Sequence, residues 1–292
     1  MEIERIKLRT PFENPDYVYV YVVNSELMID GGFCSAEHVA ELEGYDVKFR
    51  VITHHHIDHV GLIFFSDRGV MLHPSELRYL EVYSNPEKFV EVYSKLFRAF
   101  GVNERYVETL KILTALNLKP RAKISELREV KGFRVVETPG HTAGHLSVFK
   151  DGCLFSGDFM LSNTTPNIGF YPDYTSGVAD YLQSLYKILE LDVDTVYPAH
   201  ERIIKNPEKR AYELIEHCTN RAKEVYDAVR DKPTKLEDIV DKISWSVGNY
   251  WDFDDFNRFM AICETLAFLH YLEEQGKIRR KIVDGVVIFT LC

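Results

Sequence analysis

No stretch of this 292-residue chain reaches the eighteen or so uninterrupted apolar residues of a membrane span. The opening Met1-Glu2-Ile3-Glu4-Arg5 lacks the apolar core of a secretory signal. A helical membrane protein is thereby excluded, and a cytoplasmic location is expected. Cysteine is scarce. Cys34, Cys153, Cys218, Cys263 and Cys292 are odd in number, widely spaced and without a C-x-x-C pair. That excludes a disulfide framework or a thiolate metal site and fits free thiols in a reducing compartment. G-x-S-x-G, P-loop and G-x-G-x-x-G motifs are missing, so no protein nucleophile or nucleotide cradle is evident. Positive charge is also in deficit: 35 Lys+Arg stand against 45 Asp+Glu. Such a balance weighs against a broad nucleic-acid binder.

The chain is rich in histidine placed just after strand-like runs. Thr53-His54-His55-His56-Ile57-Asp58-His59 follows the apolar run 47–52. Side chains alternate with period two on a strand, so His54 and His56 point the same way and His55 the other, where it packs. A turn can then fold Asp58 and His59 toward a second point. That is a geometry for two adjacent metal ions, one held mainly by His54 and His56, the other by Asp58 and His59. Three later fragments repeat the strand-then-ligand pattern: Thr138-Pro139-Gly140-His141-Thr142-Ala143-Gly144-His145, Ser156-Gly157-Asp158 and Tyr197-Pro198-Ala199-His200. Asp158, with two oxygens, can bridge two cations held about 3.5–4 Å apart.

These residues resemble the metallo-beta-lactamase superfamily, whose pattern is HxHxDH, a His in a TPGHTxGH-like loop, an Asp and a final His. Leu27-Met28-Ile29-Asp30-Gly31-Gly32 is similar to that family's strand ending in Asp-Gly, so the likeness spans residues 17 to 204. The resemblance implies a four-layer αβ/βα sandwich, an α/β fold, with the site at the edge of two sheets. It also implies that His54, His56 and His141 bind one metal and Asp58, His59 and His200 a second, with Asp158 between them. Zinc is the expected ion, with manganese and iron as alternatives. Asp58 is the expected catalytic side chain, orienting or deprotonating water. Asp30 and His145 are expected behind the ligands or beside the substrate.

Size and composition agree with a two-part enzyme. The apolar share of 46% against 27% charged is an ordinary globular balance, and the length exceeds one typical domain. A catalytic domain is expected over 1–204 and a second domain over 205–292. Strands are expected at 3–8, 17–23 and 26–29, with a short helix at 35–43. Apolar spacing near 3.6 through Phe89, Val92 and Leu96, then Val107, Leu110 and Leu113, predicts a helical insertion at about 75–120. Another helix is expected at 177–191.

Beyond His200, helices are predicted at 207–229, from Thr234 to 243 and at 256–274. Thr234-Lys235-Leu236-Glu237 reads as a capping box and Gly276 as a stop. Asp284-Gly285 then closes a β-hairpin. This order resembles the winged-helix C-terminal domain of beta-lactamase-like proteins that include an endoribonuclease. Residues 201–292 carry 15 basic and 17 acidic side chains, so only Lys277, Arg279, Arg280 and Lys281 offer a cationic cluster for RNA. The aromatic group Trp245, Tyr250, Trp251, Phe253 and Phe256 suits a core or a homodimer interface.

The expected reaction is hydrolysis by a metal-bridging hydroxide, on a small-molecule ester or thioester as in the hydroxyacylglutathione hydrolase branch. The alternatives are a phosphodiesterase acting on RNA and a mononuclear-iron persulfide dioxygenase, which the resemblance says also keeps HxHxDH while using only His54, His141 and Asp158.

Overall fold

A computed structural model describes residues 1–12, 15–110, 118–125, 130–174, 176–246 and 248–292. β1 (Ile3–Arg9) pairs antiparallel with β2 (Tyr17–Val23), from Ile3 opposite Val23 to Arg9 opposite Tyr17. β2 alternates tyrosine and valine, which sends the β-branched set to one face and the rings to the other. β3 (Leu27–Ile29) follows, then α1 (Ala36–Leu42), whose first turn is capped by the Ser35 hydroxyl accepting the His38 N–H. Next come β4 (Phe49–Val51), α2 (Gly61–Phe65), β5 (Val70–Met71), α3 (Pro74–Tyr83), α4 (Pro86–Ala99), α5 (Arg105–Leu110) and β6 (Ile124–Ser125). The first sheet has the order β1-β2-β3-β4-β5-β6 and is parallel from β3 onward. β3 is apolar and buried at every position, as a central parallel strand requires.

β7 (Arg134–Glu137), β8 (Leu146–Lys150), β9 (Cys153–Gly157), α6 (Gly177–Leu189) and β10 (Thr195–Pro198) continue the chain. The second sheet is ordered β10-β9-β8-β7, with only β9 and β10 parallel. Tyr21, Val23, Leu27, Ile29 and Val51 of the first sheet share one buried cluster with Leu146, Val148 and Phe155 of the second. The two sheets therefore face each other across a common apolar core. This is the α/β sandwich that the family resemblance implies.

The remaining elements are α7 (Pro207–Arg230), β11 (Thr234–Lys235), α8 (Leu236–Val240), α9 (Asp255–Glu274), β12 (Ile278–Val283) and β13 (Val286–Leu291). They include a three-stranded sheet ordered β11-β13-β12. Val283 pairs with Val286 across a two-residue turn, and both Asp284 and Gly285 have positive φ, as a type I′ hairpin demands. The capping box does not form. The Thr234 hydroxyl donates instead to the Lys232 carbonyl, and Thr234 pairs with Phe289 in the sheet. α8 consequently starts two residues late and ends at Val240.

Contacts divide the chain into two compact units. One comprises 1–81, 118–166 and 183–212; the other 82–117, 167–182 and 213–292. This differs from a cut at 204, because the second unit recruits most of the helical insertion. Within it, Phe89, Tyr93 and Phe97 of α4 meet the Phe259 ring of α9 with centroids 5.7, 5.0 and 5.6 Å apart. The buried stripe thus runs at i, i+4, i+8, leaving Val92 and Leu96 at its half-exposed flank. Leu113 and the rest of 111–117 lie outside the described residues. α9 begins where the Asp254 carboxylate accepts the Asn257 N–H. Asp254→Ala is expected to cost about 1 kcal/mol, read as a lower melting midpoint and faster amide exchange at Asn257.

Candidate metal centre

Each predicted ligand lies just beyond the end of a strand. β3 runs parallel to β4, which places Asp30 beside Thr53: the Asp30 Oδ1 accepts both the Thr53 N–H and its hydroxyl, each at 2.8 Å. Asp30 has φ +69°, and its other oxygen meets His59 Nδ1 at 2.9 Å. The His59 Nδ1–H donates there, leaving Nε2 to face inward. His200 is oriented in the same manner, its Nδ1–H donating to the Tyr17 carbonyl at 2.7 Å. Asp30 is therefore the residue that aims His59.

His54 Nε2, His56 Nδ1 and His141 Nε2 converge, with separations of 3.0 Å between the first two and 3.1 Å between the last two. Tetrahedral zinc with Zn–N bonds of about 2.0–2.1 Å sets its nitrogens ~3.3 Å apart, so the spacing suits one ion. Asp158 stands between this trio and a second group. Its Oδ2 lies 4.0 Å from His54 Nε2 and 3.9 Å from His141 Nε2, while Oδ1 lies 3.4 Å from His200 Nε2. His200 Nε2 is also 3.3 Å from Asp58 Oδ2, and His59 Nε2 is 3.7 Å from Asp58 Oδ1. Candidate ligand atoms of His54, His56, His141 and Asp158 all lie within 4.8 Å of one another, and so do those of Asp58, His59 and His200. All seven predicted ligands are brought together in two adjoining groups.

The electrostatics ask for cations. Burial, reinforced by neighbouring imidazoles, pushes His54 and His56 well below the usual range, so their lone pairs are free of protons at neutral pH. Burial also disfavours the imidazolium of His200, but Asp158 and Asp58 outweigh it and lift the group to about 10. His59 is raised in the same way by Asp30, Asp158 and Asp58. Burial works against the Asp158 carboxylate, yet His200 and His59 hold it well below the ordinary range. Among the described residues, His59 Nε2, His200 Nε2 and Asp158 Oδ1 are buried with no hydrogen-bond partner. Orphaned buried atoms of this kind are costly, and a divalent cation would satisfy all three.

His145 is fully buried. Its Nε2 accepts the Asp158 N–H at 3.2 Å, and its Nδ1 meets the Thr138 hydroxyl, which in turn bonds Ser147. Burial and His141 push it down to about 3, so it stays neutral and fixes the Asp158 backbone. Gly157, at φ +50°, leaves room for this: a Cβ there would sit 2.9 Å from His145 Nε2. His55 turns away from the centre, as alternation predicts, but meets a carboxylate, with Nδ1 2.6 Å from Glu76 Oε2. Sequence reasoning misses Glu76, which reads there as an ordinary acidic residue in the first turn of a helix. It misses Glu201 for a similar reason, since no motif surrounds it. The Glu201 carboxylate accepts from Ser162 at 3.0 Å and from the Thr164 hydroxyl at 2.7 Å, tying the turn after His200 to the loop after Asp158.

The nucleic-acid candidates belong to the second unit: Arg279 and Arg280 lie on β12 and Lys277 just before it. Arg280 is engaged: its Nε lies 2.8 Å from Glu273 Oε2, and its Nη2 is 2.8 Å from His270 Nε2. Lys277 and Arg279 are both exposed. Of the aromatic group, Tyr250 and Phe253 are buried while Trp251 and Phe256 reach solvent.

A profile of the metallo-beta-lactamase superfamily matches residues 14–200. The probable metallo-hydrolase YqjP of Bacillus subtilis is 26% identical, over 95% of this chain and 94% of its own. A beta-lactamase-like protein 2 homolog of Drosophila melanogaster is 26% identical over 82% of this chain and 73% of its own. The crystal structure of a metallo-beta-lactamase family protein from Thermus thermophilus, TTHA1429, superposes with a TM-score of 0.79 at 26% identity. That match covers 99% of this chain and 98% of that one. The seven converging side chains and the matched fold lead to one conclusion: the chain belongs to the metallo-beta-lactamase superfamily, as a metal-dependent hydrolase.

Proposed function

We propose that the chain is a dinuclear hydrolase of small-molecule esters or thioesters. His54, His56 and His141 would hold one divalent cation and Asp58, His59 and His200 the other, with Asp158 contributing an oxygen to each; zinc suits this nitrogen-rich set, and manganese or iron are the alternatives. The observation that carries the reading is the second group, complete with its own orphaned buried nitrogens on His59 and His200. A mononuclear-iron dioxygenase would keep these residues but leave that group without an ion, so the number of metals bound per chain separates the two readings. When bound, such a pair of cations supplies the Lewis acidity that brings the pKa of a shared water to about 7.

The protein's own groups do the rest. Asp58 is held below the ordinary carboxylate range by His59 and His200 in spite of its burial, so it remains an anion able to orient water and accept its proton. Asp30, Tyr17 and His145 hold His59, His200 and Asp158 in place, so little reorganisation accompanies the reaction.

A second reading has its own support. Helices α7, α8 and α9 with the sheet order β11-β13-β12 fit a winged helix, which would present the β12–β13 hairpin to RNA. Charge argues against it, since Arg280 is already neutralised by Glu273. The test is a panel of acyl thioesters, lactones, phosphodiesters and single-stranded RNA offered to zinc-loaded protein. Thioester or lactone hydrolysis is the expected outcome. RNA cleavage that weakens in a Lys277→Ala/Arg279→Ala variant and with added salt would replace this reading with the nuclease. One iron per chain with oxygen consumption would replace it with the dioxygenase.

A further inference from the structure

Glu76 is a buried carboxylate placed behind the metal centre rather than in it. It is 0% exposed and sits in the first turn of α3. Its Oε2 accepts the backbone N–H of His55 at 2.9 Å and meets His55 Nδ1 at 2.6 Å. Its Oε1 accepts the backbone N–H of Gly144 at 2.6 Å. His55 lies between His54 and His56; Gly144 lies three residues beyond His141. One rigid carboxylate thus joins the two loops that carry all three imidazoles of the first group. His55 and Gly144 fall outside the strand ladders, because β4 has ended at Val51 and β8 starts only at Leu146. Their buried N–H groups need a partner, and Glu76 is that partner.

We infer that Glu76 is a positioning residue for the first metal site, acting through the His55 and Gly144 backbones on His54, His56 and His141. The proposal rests on the dinuclear reading above. Hydrogen bonds to an ionised acceptor are the stronger class, and two of them on one buried side chain can set the spacing of the loops. Burial opposes the charge on Glu76, but His55 and the Gly144 N–H hold the carboxylate below its ordinary range. The second group has its own support in Asp30 and the Tyr17 carbonyl, which hold His59 and His200. Loss of the strut should therefore be felt at one site only.

The experiment is a cobalt(II) titration of metal-stripped protein, following the visible absorption and the stoichiometry, with thermal unfolding of the metal-free chain alongside. Wild type should take up two ions. Glu76→Gln, isosteric but able to accept from only one of the two loops, should bind one ion about ten- to a hundredfold more weakly and leave the other unchanged. Asp30→Asn should weaken the other ion more than the first, because Asp30 meets His59 directly and reaches His54 only through the Thr53 hydroxyl. Glu76→Ala should lose the first ion outright. Should Glu76→Ala fail to fold, Glu76→Gln and Asp30→Asn still decide the matter. If wild type binds two ions and Glu76→Gln binds both as tightly, or loses both equally along with thermal stability, Glu76 is not a strut for the first site. If wild type itself binds fewer than two, the dinuclear reading is what fails.

Discussion

Asp158→Ala is expected to lower turnover by a thousandfold or more while the chain keeps its fold. Its carboxylate reaches both groups: Oδ2 lies 4.0 Å from His54 Nε2 and Oδ1 lies 3.4 Å from His200 Nε2. Alanine would remove the oxygens proposed to reach both cations, which would then be held by imidazoles and Asp58 without a common partner. A thousandfold corresponds to about 4 kcal/mol of barrier, modest against what a dinuclear site contributes in hydrolysis. His56→Ala should approach the same loss by opening the first group, since its Nδ1 lies within 3.1 Å of two partner nitrogens. The fold should survive both, because the core between the sheets is built from Tyr21, Leu27, Val148 and Phe155 rather than from the site. The measurement is kcat at saturating zinc, with far-UV circular dichroism of the metal-free variants. Wild-type turnover in either variant would overturn the assignment of the centre.

How much of this is legible in the sequence depends on how local each feature is. His54, His56, Asp58 and His59 share one seven-residue stretch, and His141, Asp158 and His200 each carry a local turn, so a linear reading finds them. The sandwich is legible only through the family resemblance that these same motifs carry. The supporting contacts do not show. Glu76 acts on His55, 21 positions away, and on Gly144, 68 positions away, and nothing in its own neighbourhood marks it. The Tyr17 carbonyl that orients His200 belongs to a backbone 183 residues distant. β11 reads as the start of a helix because the capping-box pattern is local, whereas its pairing with β13 is not. The α4 stripe is displaced from its expected line because its partner, Phe259, lies far along the chain and selects aromatic rather than aliphatic residues. The interleaved units have the same cause: long-range burial, not composition, groups 82–117 with the tail.

Gly61→Ala should strip the chain of stability and of the second group together. Gly61 opens α2 two residues after His59, and its N–H donates to the Gly32 carbonyl at 2.9 Å, while the Gly31 N–H donates to the His59 carbonyl at 2.8 Å. The two segments therefore lie backbone against backbone. A Cβ at Gly61 would stand 2.6 Å from the Gly31 oxygen and 3.0 Å from the Gly32 oxygen, and nearer still to the Phe33 oxygen. None of these is a side chain that can swing away, so the Gly31–Phe33 turn or the His59 segment must shift. Overpacking of this kind costs roughly 1–3 kcal/mol and more where the clash is with backbone. At about 2–4 °C per kcal/mol, the melting midpoint should fall by several degrees or the protein should not accumulate. The shift also pulls His59 away from the Asp30 oxygen that aims it, so surviving protein should bind its second cobalt ion at least tenfold more weakly. Gly69→Ala is the matched control, since its Cβ would meet only the Lys123 oxygen at an ordinary 3.6 Å. If Gly61→Ala melts with Gly69→Ala and titrates like wild type, the close approach of these two segments is not what holds Asp58 and His59 in position.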